Sequence, residues 1–433
     1  MRIDKLQLKN FRCFEEREFE FGKRFNLLVG NNASGKTAIL EGITVVLSKF
    51  LAVFPKPARF IREIEERDVR QTLFLKGSTL TTELQNPSYV SACTNRGDWR
   101  VDAERYEQTF DGTQAKYDAV ELVHEVRAGN PVCIPLLCYY GTERLWVQLK
   151  EVKANTLGPL SRFAGYQDCL KSASNQKRFL DWFKTQEFIA LQQQREQPTL
   201  EACRTAIQEC VPGSARVYFD IAYDQLILEI EGKCVPFSML SDGFRNMLAI
   251  VADIAVRCSM LNPQLEAAAP RETEGVVLID ELDLHLHPKW QRRVVGDLMR
   301  AFPKVQFIAT SHSPFIIQSL PTIDGVKLIN LDDEANYDVR DQSIEDIAET
   351  IQGVELPQRS RRHIDMMHKA EQYFAMLKDD GKSSDEDRQA ARRELESMAQ
   401  FSDNPAFQAV IRMQELVSQK GNGAHSETRG EGN

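Results

Sequence analysis

Apolar and polar positions change period several times along this chain, and each change predicts an element. Residues 2–9 alternate apolar and polar, and parts of 15–21 do the same as far as Phe19 and Phe21. Such alternation predicts a hairpin of half-buried strands. Residues 24–29 read as a short buried strand, and 38–43 open a helix. That helix is expected to run to about Phe54, where Pro55 and Pro57 stop it. Residues 58–130 are polar and mixed, with 80–84 and 99–103 reading as antiparallel strands. The run 132–140 is apolar enough for a fully buried strand, as are 276–279 and 305–309. Helical periodicity covers 163–210, with Phe179, Trp182, Phe183 and Phe188 near one face. Residues 216–235 read as a hairpin turning at Tyr223 and Asp224. No internal repeat is evident.

Beyond about residue 331 the character changes. Charged residues dominate 360–400 in helix-forming sequence, and 355–420 reads as two or three appended helices. Residues 421–433 contain glycines and no large apolar residue, which predicts a disordered tail.

Bulk properties narrow the class without deciding it. A chain of 433 residues can bury a large core and form two to three domains. Its formal net charge of −9 argues against a surface coated for non-specific nucleic-acid binding, though not against a local basic groove. No apolar run approaches a membrane span, and residues 1–5 show no apolar signal region, so a cytoplasmic protein away from membranes is expected. The nine cysteines lie at irregular spacing with no C-x-x-C pair, which favours reduced thiols over zinc.

The chemistry is concentrated in four short stretches. Gly30, Asn31, Asn32, Ala33, Ser34, Gly35, Lys36 and Thr37 fit G-x-x-x-x-G-K-[ST] at every fixed position, between an expected strand and an expected helix. Such a loop turns backbone N–H groups onto phosphates, its lysine reaches the β- and γ-phosphates, and its threonine hydroxyl ligates Mg²⁺. ATP and Mg²⁺ are therefore the expected ligands. The apolar strand 275–279 ends in Asp280 and Glu281, a Walker B arrangement. There Asp280 would hold Mg²⁺, and Glu281 would orient or deprotonate the attacking water. Ser241, Asp242 and Gly243 precede a helical stretch at 246–258, which Ser241 could cap and whose N-terminus could meet an anion. His312 follows the strand 305–309, where it can donate to a γ-phosphate. His285 and His287 form an H-x-H pair with no third ligand suggested nearby, so zinc is not expected there.

The order of phosphate loop, Ser241–Gly243 element, Walker B and His312 resembles the ATP-binding-cassette superfamily over about residues 1–330. The start, residues 8–14 (Leu-Lys-Asn-Phe-Arg-Cys-Phe), resembles its RecF and SMC branch, which brings Arg12 into the nucleotide-binding set. The stretch 280–291 is similar to the stand-alone ATPases of bacterial anti-phage systems, and within these 139–146 and the helical C-terminus resemble the PtuA type of Septu and some retrons. The resemblance implies an α/β ABC-ATPase head, with a P-loop core in a mixed sheet and an antiparallel β-subdomain. A helical insertion at about 155–212 and a C-terminal helical module at 331–420, for assembly or partner docking, complete the expected architecture. It further implies a homodimer or higher oligomer that sandwiches ATP, with Ser241 and Gly243 reaching the partner's nucleotide. An HNH endonuclease of the PtuB type would be the partner, and DNA a further candidate. RecF-like clamping on DNA and a low-turnover assembly scaffold are the alternative functions. Asp242 departs from the usual signature glycine and would repel a phosphate unless turned away or paired. The Q-loop glutamine has Gln148 as its candidate.

Overall fold

The computed structural model describes residues 1–55, 60–76, 79–103, 108–145, 161–171, 176–211, 213–333, 342–354, 361–378, 385–397 and 413. Pro57, Trp146, Gln148, Pro357 and the tail 421–433 lie outside the described residues. Two compact units emerge, Met1–Ile347 and Ala348–Asn433.

The first unit opens with the expected hairpin, β1 (Ile3–Phe11) and β2 (Phe14–Glu20). The buried strand β3 (Phe25–Val29) leads through the glycine loop into helix α1 (Lys36–Leu51). Strands β4 (Gln71–Lys76), β5 (Thr79–Leu84), β6 (Ser88–Thr94), β7 (Gly97–Ala103) and β8 (Gln108–Asp111) come next. Helix α2 (Thr113–Arg127), absent from the sequence reading, precedes β9 (Leu136–Tyr140). The helical stretch resolves into α3 (Gln176–Gln193) and α4 (Pro198–Cys210). Then come β10 (Ser214–Asp220), β11 (Gln225–Ile230), β12 (Lys233–Pro236) and the long helix α5 (Asp242–Leu261). After α6 (Ala269–Glu272), strand β13 (Gly275–Ile279) is followed by α7 (Pro288–Gln291) and α8 (Val294–Ala301). Strand β14 (Val305–Thr310), α9 (Pro314–Gln318) and β15 (Val326–Asn330) complete its core.

Two five-stranded sheets organise this unit. One is parallel in the order β15-β3-β14-β13-β9, and the other is antiparallel in the order β2-β1-β6-β7-β8. Strands β3, β9, β13 and β14 are buried at every position, which is why they are mostly apolar, with Asn26, Gln306 and Thr310 as buried polar exceptions in β3 and β14. Helix α1 is buried on nearly all sides, as a helix between two layers must be. Leu8, Phe11 and Val90 close over its Gly42, and Phe50 stacks on Trp99 at 5.9 Å. The sheets are joined by Gln306, whose amide exchanges hydrogen bonds with the Ile3 backbone at 2.8 and 2.7 Å.

A buried charge network anchors α5 beside the strand that ends at Ile279. Asp253 accepts from Arg257 at 2.7 Å and from the Tyr140 hydroxyl at 2.8 Å. Burial, reinforced by the Asp253 charge, holds the Tyr140 phenol well above the ordinary tyrosine range. The Tyr140 carbonyl in turn accepts the Asp280 N–H at 2.8 Å. Removing one member of such a buried pair costs about 3–5 kcal/mol, because the other charge is left uncompensated.

In the second unit, α10 (Ile344–Thr350) crosses the boundary, and α11 (Arg361–Lys378) and α12 (Asp385–Glu396) follow. Met366, Ala370, Tyr373 and Leu395 form a small core between the last two helices.

Candidate nucleotide site

The order β3-β14-β13 brings three loop-bearing strand ends side by side. In open parallel sheets, ligands gather at the carboxyl ends of the strands. Here those ends carry the glycine loop, the Thr310–His312 segment, and Asp280 with Glu281.

The glycine loop owes its shape to unusual backbone. Gly35 has φ 97°, and a Cβ there would stand 2.4 Å from the Phe14 ring and 2.6 Å from the Cys13 sulfur. Only glycine satisfies both conditions. Lys36 folds back so that its ammonium donates to the Gly30 and Asn31 carbonyls, each at 2.8 Å. Burial draws the Lys36 pKa below the ordinary lysine value, while Asp332, Asp280, Glu281 and Asp283 pull it upward less strongly. Asn31, Asn32 and Ala33 are exposed, with Ser34 half-buried beside Gly30.

Asp280 is held by two hydroxyls. Thr37 Oγ1 donates to one carboxylate oxygen at 2.9 Å, and Thr310 Oγ1 donates to the other at 2.7 Å. Thr310 also accepts the Glu281 N–H at 2.7 Å. Because β14 lies between β3 and β13, Thr310 is the strand-end residue placed to touch both carboxylate-bearing residues. Glu281 itself sits at φ 49°, a left-handed conformation uncommon outside glycine. The donor set fits a hard divalent cation: a hydroxyl and a carboxylate in contact beside a phosphate-binding loop supply oxygen ligands of the kind Mg²⁺ takes.

The remaining expected residues fall in different places. His312 is exposed, and its N–H meets the Asp283 carboxylate at 3.3 Å. Ser241 is exposed at the start of α5, but its side chain makes no capping hydrogen bond, so the expected hydroxyl cap does not form. Asp242 is paired with Arg245, which offsets its charge. Gly243 is buried against the backbone of His285 in the same chain. Arg12, expected to meet nucleotide, is committed elsewhere: its guanidinium holds Asp68 at 2.9 and 3.1 Å and pairs with Glu41. Arg12 itself sits at φ 50°, in the left-handed region. His287 accepts the Lys289 N–H at 3.2 Å and so caps α7.

Three further residues support this site and were given no role from sequence. Thr310 closes β14, a strand that also holds Gln306, and its role comes from the neighbouring strands rather than from a local pattern. Asp332 accepts the Asn31 N–H at 2.6 Å from the far side of the loop. Gln291 joins two of the loops, and no local pattern marks it.

Comparison with known proteins agrees with this geometry. A family model described as an AAA domain matches residues 5–211. A second AAA-domain model, whose description names an AbiEii toxin of a type IV TA system, matches residues 219–318. The chain carries AAA-type ATPase domains over these two stretches. The first match holds the glycine loop of this ATPase, and the second holds Ser241, Asp280, Glu281 and His312. It is similar to the Escherichia coli "Retron Ec83 probable ATPase", at 25% identity across 74% of this chain and 70% of the relative. The "Retron Vc95 probable ATPase" of Vibrio cholerae serotype O1 biovar El Tor is also 25% identical, across 76% of this chain and 74% of the relative. "Septu protein PtuA" of Bacillus mycoides shares 25% identity across 77% of this chain and 41% of its own length. Among the described residues, no helix of the ATPase is long and apolar enough to cross a membrane.

Proposed function

We propose that this ATPase binds ATP with Mg²⁺ at residues 30–37, hydrolyses it between two copies of the chain, and uses the cycle to gate a partner HNH nuclease. The observation that carries the catalytic part is the Thr37–Asp280–Thr310 chain of hydrogen bonds, at 2.9 and 2.7 Å, set beside Lys36. Thr37 and Asp280 would hold the metal, and Thr310 fixes the carboxylate's orientation toward it. When bound, Mg²⁺ neutralises charge on the β- and γ-phosphates. The Lys36 ammonium leaves its loop carbonyls for the same phosphates. Water attacks the γ-phosphorus and the bond to ADP breaks. Glu281 accepts the water's proton, and His312 donates to the γ-phosphate oxygens.

Two copies are needed because the exposed start of α5 belongs to a partner's nucleotide in this reading. A twenty-residue helix that starts at exposed Ser241 and Asp242 with no side-chain cap is suited to an anion, and Arg245 offsets the carboxylate of Asp242 there. The nuclease half rests on the resemblance to PtuA-type ATPases, which implies an HNH endonuclease of the PtuB type. The helical module 331–420 is the part of the chain available for docking it or for higher assembly, with DNA as a further candidate partner.

Glu281→Gln tests the reading. It should retain ATP, slow phosphate release about 10²–10⁴-fold and trap the dimer. Phosphate release at the wild-type rate would remove Glu281 as the base. Affinity purification from a host carrying the neighbouring genes should recover an HNH nuclease. Its absence, with ATP-dependent binding to gapped DNA, would favour a RecF-like clamp instead.

A further inference from the structure

We propose that Gln291 is a positioning residue that fastens the turn after Asp280 to the loop bearing His312, so that the two move as one piece. The inference rests on the reading of Glu281 and His312 as hydrolytic residues. Gln291 ends α7, and its amide is used at both ends. Its Nε2 donates to the Leu286 carbonyl at 2.9 Å and lies 3.5 Å from that of Asp283. Its Oε1 accepts from the Ser313 hydroxyl at 2.7 Å. An amide is among the few side chains that donate and accept at once, so an apolar residue of similar length would lose both bonds.

The surroundings show why such a fastening matters. On one side, Glu281 and His285 both hold left-handed backbone, at φ 49° and 59°. Residues other than glycine keep that conformation only where neighbours impose it. The carbonyls that Gln291 reaches belong to Asp283 and Leu286, within and just beyond this strained turn. On the other side, Ser313 caps α9 by accepting from Phe315 and Ile316 at 3.1 and 3.4 Å. Ser311 accepts the Ser313 N–H at 2.9 Å. His312 lies between those two serines, and its N–H meets Asp283 at 3.3 Å. Gln291 therefore spans the two segments whose relative placement sets Glu281 against His312. It takes no part in the hydrogen bonds that Lys36 and Thr37 make at the glycine loop.

A split between binding and turnover follows. Gln291→Met preserves length and packing. In the full chain, assayed well below its melting temperature, ATP affinity should stay within about two-fold. The value of kcat should fall about 10–100-fold, the range that misplacement of reacting groups produces. In a His312→Ala background the same substitution should cost less than about two-fold, since the loop it positions has lost its side chain. Should Gln291→Met fail to fold, Gln291→Glu keeps the oxygen facing Ser313, loses the donor to the turn, and carries the same expectation. Normal turnover in Gln291→Met beside a slow His312→Ala would overturn this inference alone, as would a full loss repeated in the His312→Ala background. Wild-type turnover in His312→Ala would overturn the underlying reading of His312 and this inference with it.

Discussion

Gly243 lies so close to His285 that a Cβ on it would stand 1.9 Å from the His285 carbonyl oxygen. The glycine is required within one chain, where the start of α5 rests on the turn after Asp280. Gly243→Ala should therefore destabilise the protein by about 1–3 kcal/mol, the cost of forcing a group into a filled space. A lowered Tm at unchanged ATP affinity is the expected result. A wild-type Tm would show that the backbone yields freely there.

Ser241, two residues before Gly243 but exposed, separates pairing from folding. Ser241→Arg adds bulk and charge at an exposed position at the start of α5. It should leave Tm and ATP binding unchanged and abolish ATP-induced association. Light scattering reads this directly: an ATP-dependent mass equal to that of the wild type would exclude a dimer closed through this helix.

Thr310→Val keeps the shape of the side chain and removes its hydroxyl. Asp280 then loses a 2.7 Å donor and the Glu281 N–H loses its acceptor. Partners of metal-holding carboxylates typically contribute about 10–100-fold to metal affinity. The Mg²⁺ concentration giving half-maximal ATPase rate should rise by at least about 10-fold on that basis. An unchanged Mg²⁺ titration would leave Thr310 as a fold contact only.

The parts of this molecule legible in sequence were those whose signal is local. The glycine loop satisfies fixed positions within eight residues, and the central parallel strands are apolar because both their faces are covered. Helix α2 was missed because its buried face is built from Ala115, Ala119, Leu122 and Val123, while Tyr117 and Val120 are exposed. Small buried residues and large exposed ones blur the amphipathic pattern. Thr310, Asp332 and Gln291 were missed for a different reason. Each acts through a partner brought near by strand order or loop packing, and no spacing along the chain encodes that. Arg12 illustrates the converse: its motif is local, but Asp68, which claims its guanidinium, arrives from a distant loop.

Lys36 gives a pH dependence with a definite sign. Burial lowers the pKa of its ammonium in the ligand-free protein from the usual 10.5, and bound phosphates would raise it. Binding then takes up a proton between those two values. ATP affinity should be flat below the lowered pKa and weaken as pH rises through it, beginning below the range of an ordinary lysine. Lys36→Ala should remove this dependence and weaken ATP binding by at least about 10-fold, or about 1.4 kcal/mol. Calorimetry across the alkaline range checks both. An alkaline weakening that persists in Lys36→Ala would assign the proton to another group.

The C-terminal helices offer the sharpest separation of ATP chemistry from recruitment. Every residue assigned to the nucleotide lies within Met1–Ile347, one of the two compact units. Helices α11 and α12 are 18 and 12 residues long and share only a small core of Met366, Ala370, Tyr373 and Leu395. Helices with so little apolar surface gain most of their stability from packing on something larger. Ending the chain after Val354 should thus leave ATP affinity within about two-fold, since no phosphate-loop contact is removed. It should abolish recovery of the HNH nuclease or the higher assembly. A soluble truncation that still retains the nuclease at full yield would move the docking surface onto the head. A truncation that cannot bind ATP would instead show that these helices complete the head's own core.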